Sequence, residues 1–190
     1  MRVELSRADM LRRCRIGGGL EPVRHDFDVE ITDGVDVDAA LSLRLRDWYL
    51  ALLDKGDRSL LAPDDISGAV SLATITGGCA DGTRIIMPDM CRRVFDVKLR
   101  GWLHAVEVLP ADEFDRVKFL QFNPYTAATA ATPVAVFMAG AGGGAAPDVA
   151  AWPAAAEVVL VNAAMDPGEE LYVMDEAALG TLPDNPLIPD

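Results

Sequence analysis

Backbone amides in glycine clusters can cradle phosphates, and the chain carries Gly17-Gly18-Gly19 and Gly142-Gly143-Gly144. The first lacks the lysine and Ser/Thr of a P-loop, and neither runs G-x-G-x-x-G between a strand and a helix, so both read as connectors. His25-Asp26-Phe27-Asp28 sets an imidazole among carboxylates. In an extended segment neighbouring residues face opposite sides, which puts His25 with Phe27 and away from Asp26 and Asp28, whereas metal ligands must converge. His104 needs a distant partner. In Asp33-Gly34-Val35-Asp36-Val37-Asp38 the glycine precedes the acids, the reverse of an EF-hand loop, and the segment reads as a turn followed by an N-cap. Ser42, Ser59, Ser67 and Ser71 sit in no G-x-S-x-G elbow. Thirty acidic residues guarantee some carboxylate proximity, so no pair stands out for acid–base work. Cys14, Cys79 and Cys91 are odd in number and have no C-x-x-C spacing, which points to buried or idle thiols in a reducing compartment. No catalytic, cofactor-binding or metal-ligating residue is assigned, and no cofactor is expected.

The elements around these residues follow from periodicity. Ser6 and Asp9 form a weak capping box, and Met10, Leu11 and Cys14 share a helical face before the glycines stop it. Residues 20–35 alternate at Phe27, Val29 and Ile31 and close on Asp33-Gly34, a short strand or extended arm. The clearest helix follows, with Asp36 as N-cap, a stripe of Val37, Leu41, Leu45, Trp48 and Leu52, and an end at Lys55-Gly56. Its other face carries Arg44, Arg46, Asp47 and Asp54. After residue 63 the period changes: 69–76 and 83–87 are β-prone, and Phe95, Val97 and Leu99 alternate with Asp96, Lys98 and Arg100 ahead of a hairpin turn at Arg100-Gly101. Residues 110–120 predict a short helix with Phe114 and Val117 inward, 123–132 a loop, and 134–138, 157–161 and 170–174 strands, with a Gly-Ala connector at 139–147. The ending, 181–190, contains three prolines and no period. The fold class is α+β, with N-terminal helices packed on an antiparallel sheet or small sandwich and extended termini. One domain spans 1–190, divided into an arm and short helix (1–35), a main helix (36–62), a mainly β part (63–175) and an extended tail (176–190).

A chain of 190 residues can bury a core without staples. Half the residues are hydrophobic, yet much of that is alanine and only 6% are aromatic, which predicts a thin core of Val, Leu and Ile with few aromatic anchors. No signal peptide or membrane span is expected, because charge interrupts the N-terminal stretch and Asn, Pro and Gly break the longest charge-free run. The net charge of −13 disfavours nucleic-acid binding. That charge is polarised: residues 1–24 carry +3, residues 25–118 carry −7, and residues 119–190 carry −9 with no lysine or arginine after Lys118. A basic head and an acidic tail can meet between identical subunits, since opposite potentials steer association and fix register. The residues assigned to such edges are Arg12, Arg13 and Arg15 on one side, and Glu169, Glu170, Asp175 and Glu176 on the other.

Several segments, in order, are similar to a family. They are Leu45-Arg46-Asp47-Trp48-Tyr49-Leu50 in the helical part, Met87-Pro88-Asp89 leading into Arg93-Val94-Phe95-Asp96-Val97, then Gln121-Phe122-Asn123-Pro124-Tyr125-Thr126 before Thr132-Pro133-Val134-Ala135, and finally Leu182-Pro183-Asp184. Across about two thirds of the chain this order resembles the head-to-tail connector (adaptor, ring or neck) proteins of tailed bacteriophages. The resemblance implies a virion structural protein that forms a homo-oligomeric ring between portal and tail, is assembled in the host cytoplasm, and has portal-like and tail proteins as partners. The chain departs from the family by ending in an acidic, proline-containing tail rather than a docking helix. A small enzyme or ligand-binding domain with a site built from distant residues is the alternative. A deep pocket lined by His104 or a cysteine with a converging acid would mark it. A host-encoded regulatory interaction module is a third reading, separable by its neighbouring genes.

Overall fold

The computed structural model describes residues 1–17, 37–138 and 148–182. The expected strand at 20–35 with His25, the Asp36 cap, the Gly-Ala connector at 139–147 and the tail from Pro183 onward lie outside the described residues. In chain order the elements are β1 (Arg2–Ser6), α1 (Arg7–Gly17), α2 (Val37–Lys55), β2 (Asp64–Asp65), β3 (Ser71–Ile75), β4 (Gly82–Ile86), β5 (Cys91–Leu99), β6 (Val106–Leu109), α3 (Phe114–Leu120), β7 (Val134–Phe137), β8 (Val149–Trp152), β9 (Val158–Met165) and β10 (Leu171–Asp175). Short 3-10 turns lie at Arg58–Leu60, Ala111–Glu113 and Glu176–Thr181. The fold is α+β, and its contacts divide the chain into two compact units, Met1–Ala62 with Pro167–Asp190, and Pro63–Asp166.

The first unit is built from the two ends of the sequence. β1 and β10 pair antiparallel, Val3 opposite Met174 and Leu5 opposite Tyr172, as a two-stranded ribbon. Along β10 the burial alternates, with Tyr172 and Met174 buried, so one face of the ribbon takes the helices. From α2 the buried residues are Leu41, Leu45, Tyr49, Leu52 and Leu53. The expected stripe therefore holds at Leu41, Leu45 and Leu52 but shifts at the fourth position, where Trp48 is half-buried and Tyr49 takes the inward place. The reason is a polar one. The Tyr49 hydroxyl donates to the Val173 carbonyl at 2.9 Å and accepts from the Val173 N–H at 3.0 Å, and its ring meets Tyr172 edge-on with centroids 5.0 Å apart. One side chain thus satisfies both backbone groups of a ribbon residue that has no further strand beside it among the described residues. From residue 176, where an extended tail was expected, the chain makes the 3-10 turn Glu176–Thr181, capped by the Asp175 carboxylate accepting from the Ala177 N–H at 3.0 Å.

The second unit is an eight-stranded sheet in the order β2-β9-β5-β6-β7-β8-β4-β3. Every pairing is antiparallel except β6 with β7, which run parallel, a departure from the all-antiparallel expectation. Val161 of β9, Val97 and Leu99 of β5, Val108 of β6, Ala135 of β7, Val149 and Ala151 of β8 and Ile85 of β4 belong to one core cluster. Strands so far apart in the order share a core only if the sheet curls around it. On the opposite face of β7 and β8, Val136, Ala150 and Trp152 pack with Val117 of α3. All four residues of β8 are therefore buried. The hairpin at Arg100-Gly101 is present, with Gly101 in the left-handed region at φ +90°. Its second strand begins only at Val106, because Trp102 folds back into the core and donates its indole N–H to the Pro153 carbonyl at 3.1 Å.

Candidate interaction surfaces

The charged residues assigned from the sequence all fall in the first unit. α1 carries Arg12 and Arg13, both exposed and without an ion-pair partner among the described residues, together with half-buried Arg15, which is partnered. Glu169 and Glu176 are likewise exposed and unpaired among the described residues. The other two acids are engaged within their own chain. Glu170 faces Arg7 at 3.3 Å, and Asp175 accepts from the N-terminal ammonium of Met1 at 2.7 Å. That ammonium and the Ala177 N–H hold the Asp175 carboxyl below its ordinary value. The ribbon thus brings part of the basic head and part of the acidic tail together inside one subunit, leaving Arg12, Arg13, Glu169 and Glu176 for contacts beyond it.

A second surface, not among the residues assigned from the sequence, lies in the other unit. α3 starts after Pro110 and the turn Ala111–Glu113, anchors through buried Val117 and ends at Leu120. The next residue, Gln121, is a buried amide that ties three segments together. Its Nε2 donates to the Val117 carbonyl at 2.9 Å, its Oε1 accepts from the Ala128 N–H at 2.8 Å, and its carbonyl accepts from the Cys79 N–H at 2.7 Å. Gly78 lies against that carbonyl at φ +103°, where a Cβ would stand 2.8 Å from the Gln121 oxygen, so no larger residue fits. The chain beyond is held locally. The Asn123 side chain accepts from the Tyr125 N–H at 2.9 Å, the Thr126 hydroxyl donates to the Leu120 carbonyl at 2.9 Å, and the hydroxyls of Thr129 and Thr132 meet at 2.9 Å.

On this fixed turn three aromatic side chains at every third position face solvent: Phe119 is 75% exposed, Phe122 54% and Tyr125 95%. Leu103, also exposed, belongs to a neighbouring loop that reaches the same segment through its N–H to the Ala130 carbonyl at 2.9 Å. The exposed Arg116 and Lys118 of α3 supply polar groups beside the aromatics, and Arg116 pairs with Glu113. An apolar centre with charged neighbours is the make-up of a protein interaction site. Sequence reasoning gives Phe119 and Phe122 no surface role, since the reading of a helix and loop at 110–132 assigns these side chains no face. The available signal was that Phe114 and Val117 set the inward side of this short helix, which puts Phe119 on its other side.

The polar groups of catalysis are dispersed. His104 is exposed, Cys79 is exposed and donates to the Phe122 carbonyl at 3.2 Å, and Cys14 and Cys91 are buried. Burial pushes the Cys14 thiol up and the Cys91 thiol up to about 11, so neither is a ready thiolate. Among the described residues no group of three His, Cys, Asp or Glu side chains is placed to hold a metal ion. The chain matches no family model, no curated protein and no solved structure.

Proposed function

We propose that this chain is a structural assembly protein, a subunit that works by packing against other proteins, and that its role is that of a head-to-tail connector forming a ring between portal and tail in a virion. The observation that carries the packing role is the exposed aromatic turn of Phe119, Phe122 and Tyr125, held rigid by the buried Gln121. Large aromatic side chains already fixed in place lose little conformational freedom on docking, which is why they dominate interface energetics. The connector assignment rests on the segment order described from the sequence, which includes this same turn. Arg12 and Arg13 on one edge and Glu169 and Glu176 on another supply charge that orients neighbouring subunits.

The test is assembly. Native mass spectrometry and negative-stain microscopy of the purified chain, alone and mixed with a phage portal ring, are expected to give rings or a stoichiometric portal complex. Replacing Phe119, Phe122 and Tyr125 together by Ala should abolish that association while leaving the thermal midpoint nearly unchanged. Reversing Arg12 and Arg13 to Glu should weaken it, and adding Glu169→Arg and Glu176→Arg should partly restore it. A chain that remains monomeric and ignores the portal ring sinks the proposal.

A further inference from the structure

The eight-stranded sheet of the second unit has two edges, and they differ. β2 is two residues long and both are aspartates, Asp64 and Asp65, a short charged edge of the kind that resists pairing. At the other end β3 runs Ser71-Leu72-Ala73-Thr74-Ile75, with β4 on one side and no strand on the other among the described residues. Nothing blunts this edge. It carries no charge and no proline, and its register with β4 is unbroken from Ser71 opposite Ile86 to Ile75 opposite Gly82. From Ile66 to Ala80 the chain has no Asp, Glu, Lys, Arg or His. In an antiparallel edge strand alternate residues direct N–H and C=O away from the sheet, and no backbone hydrogen bond links β3 to any segment but β4 among the described residues. The core is open here too. Leu72 lies opposite Ile85 and packs against the core cluster, with Thr74 on the same face, yet Leu72 is only half-buried and Thr74 is exposed. On the other face Ser71 and Ala73 are exposed, and Arg84, opposite Ala73, is paired with Asp148 and so brings no net charge.

An uncharged open edge on a chain of net charge −13 points to one occupant. Two copies repel wherever their acids face, and like charges set directly opposite weaken a strand pair. At β3 no such charges meet. We infer that β3 pairs antiparallel with β3 of a second copy across a two-fold axis at Ala73, so that the two sheets join into one. In that register Leu72 faces the counterpart of Thr74, and Ser71 the counterpart of Ile75. Opposed residues share a face of a sheet, so Leu72 and Thr74 cover the open end of each other's core, and Ala73 meets its own counterpart on the far face. Among the described residues no other strand edge offers a like partner. β2 and β1 carry Asp64, Asp65, Arg2 and Glu4, and β10 gives both backbone groups of Val173 to Tyr49. β3 is complementary to itself. Five residues a side make a small contact, so the dimer belongs with the weak interfaces, at a Kd of about 1–100 μM. A two-fold contact does not close a ring: it joins two chains or, where rings form, two rings back to back, and it stands whether or not the ring reading does.

The experiment is sedimentation equilibrium of the full chain across that concentration range. A monomer–dimer equilibrium is expected, or paired rings, and added salt should tighten it, because no ion pair holds the contact and salt screens the repulsion between the remaining acids. Ala73→Lys and Ala73→Glu each set like charges face to face at the axis and should weaken the association at least about tenfold. Their thermal midpoints should stay close to that of the unaltered chain, since the side chain is exposed. Mixing the two variants should restore association to within about threefold of the unaltered chain, because only a two-fold contact brings residue 73 against itself. A measurement that needs no variant is amide hydrogen exchange, which should slow at residues 71–75 as concentration rises through the Kd. A chain that stays monomeric or forms only single rings, an association that salt weakens, single variants that associate as tightly as the unaltered chain, a mixture of folded variants that stays apart, or exchange at 71–75 indifferent to concentration would each overturn the inference.

Discussion

The two units solve the problem of burying a surface in opposite ways. In Pro63–Asp166 a single sheet curls on itself around a cluster of apolar side chains, many of them Val and Ala, while the buried Thr83 and Gln121 tie chain segments outside that cluster. In the other unit a ribbon of two strands offers too little apolar face, so polar atoms are drawn inside: the Tyr49 hydroxyl on the backbone of Val173, Ser42 beneath Arg7, Tyr172 against Tyr49. The contrast teaches that polar side chains fix a strand's own backbone in the first unit and fix the connecting segments in the second. The unit with the richer core turns its surplus aromatics outward.

That contrast can be broken experimentally, because Cys14 is buried in the first unit and Cys91 in the second, and their labelling under mild denaturant reports the opening of each. The largest effect is expected for Trp152→Ala. Its indole is fully buried between Val136, Ala150 and Val117, and removal should cost about 3–5 kcal/mol, speeding Cys91 labelling by two to three orders of magnitude or so while Cys14 changes little. Gly82→Ala attacks the same place from the other side, since its Cβ would stand 2.4 Å from the Trp152 indole nitrogen; a cost of about 1–3 kcal/mol should appear at Cys91 alone. Tyr49→Phe leaves the Val173 N–H and carbonyl without their partner, and should cost about 1–3 kcal/mol, read this time at Cys14. If both thiols respond together to any of these, the two units open as one and the division fails.

The smallest effect concerns acid. Asp175 in the first unit and Asp65 in the second both have carboxyls held below the ordinary 3.8, Asp175 first by the N-terminal ammonium and Asp65 first by the Ser67 N–H. A depressed carboxyl contributes stability that is complete above its unfolded value and is lost as pH falls through its folded value. The thermal midpoint of Asp175→Asn should therefore lie slightly below that of the unaltered chain at pH 7, with the gap closing below about pH 3.8. Asp65→Asn should behave likewise, and a gap that widens on acidification would refute the argument for either residue.

Much of the second unit was legible in local sequence, since alternation at Phe95, Val97 and Leu99, the turn at Gly101 and the inward Val117 each signal structure without reference to distant residues. β8 was not, because a strand buried on both faces has no alternation, and Val149-Ala150-Ala151-Trp152 reads like the alanine-rich connector before it. β1 fails for another reason. Arg2-Val3-Glu4-Leu5-Ser6 does alternate, but its partner is the far end of the chain, and nothing local names β10. The shift from Trp48 to Tyr49 belongs to the same class, because the backbone of Val173 selects the hydroxyl. Of the assigned charges, the sequence could list the residues but not show that Glu170 and Asp175 pair within their own chain. The aromatic turn depends on which side chains run out of neighbours.

The pairing of β1 with β10 also sets an order of events during synthesis. Residues 63–166 emerge from the ribosome as one uninterrupted stretch and hold every strand of the eight-stranded sheet, so that sheet needs no strand from either side of the stretch. β1 precedes that stretch, and its hydrogen-bonding edge stays open until residues 171–175 arrive. For most of its synthesis the nascent chain carries β1 unpaired, and the strand that covers its edge follows directly on β9, the strand that completes the sheet.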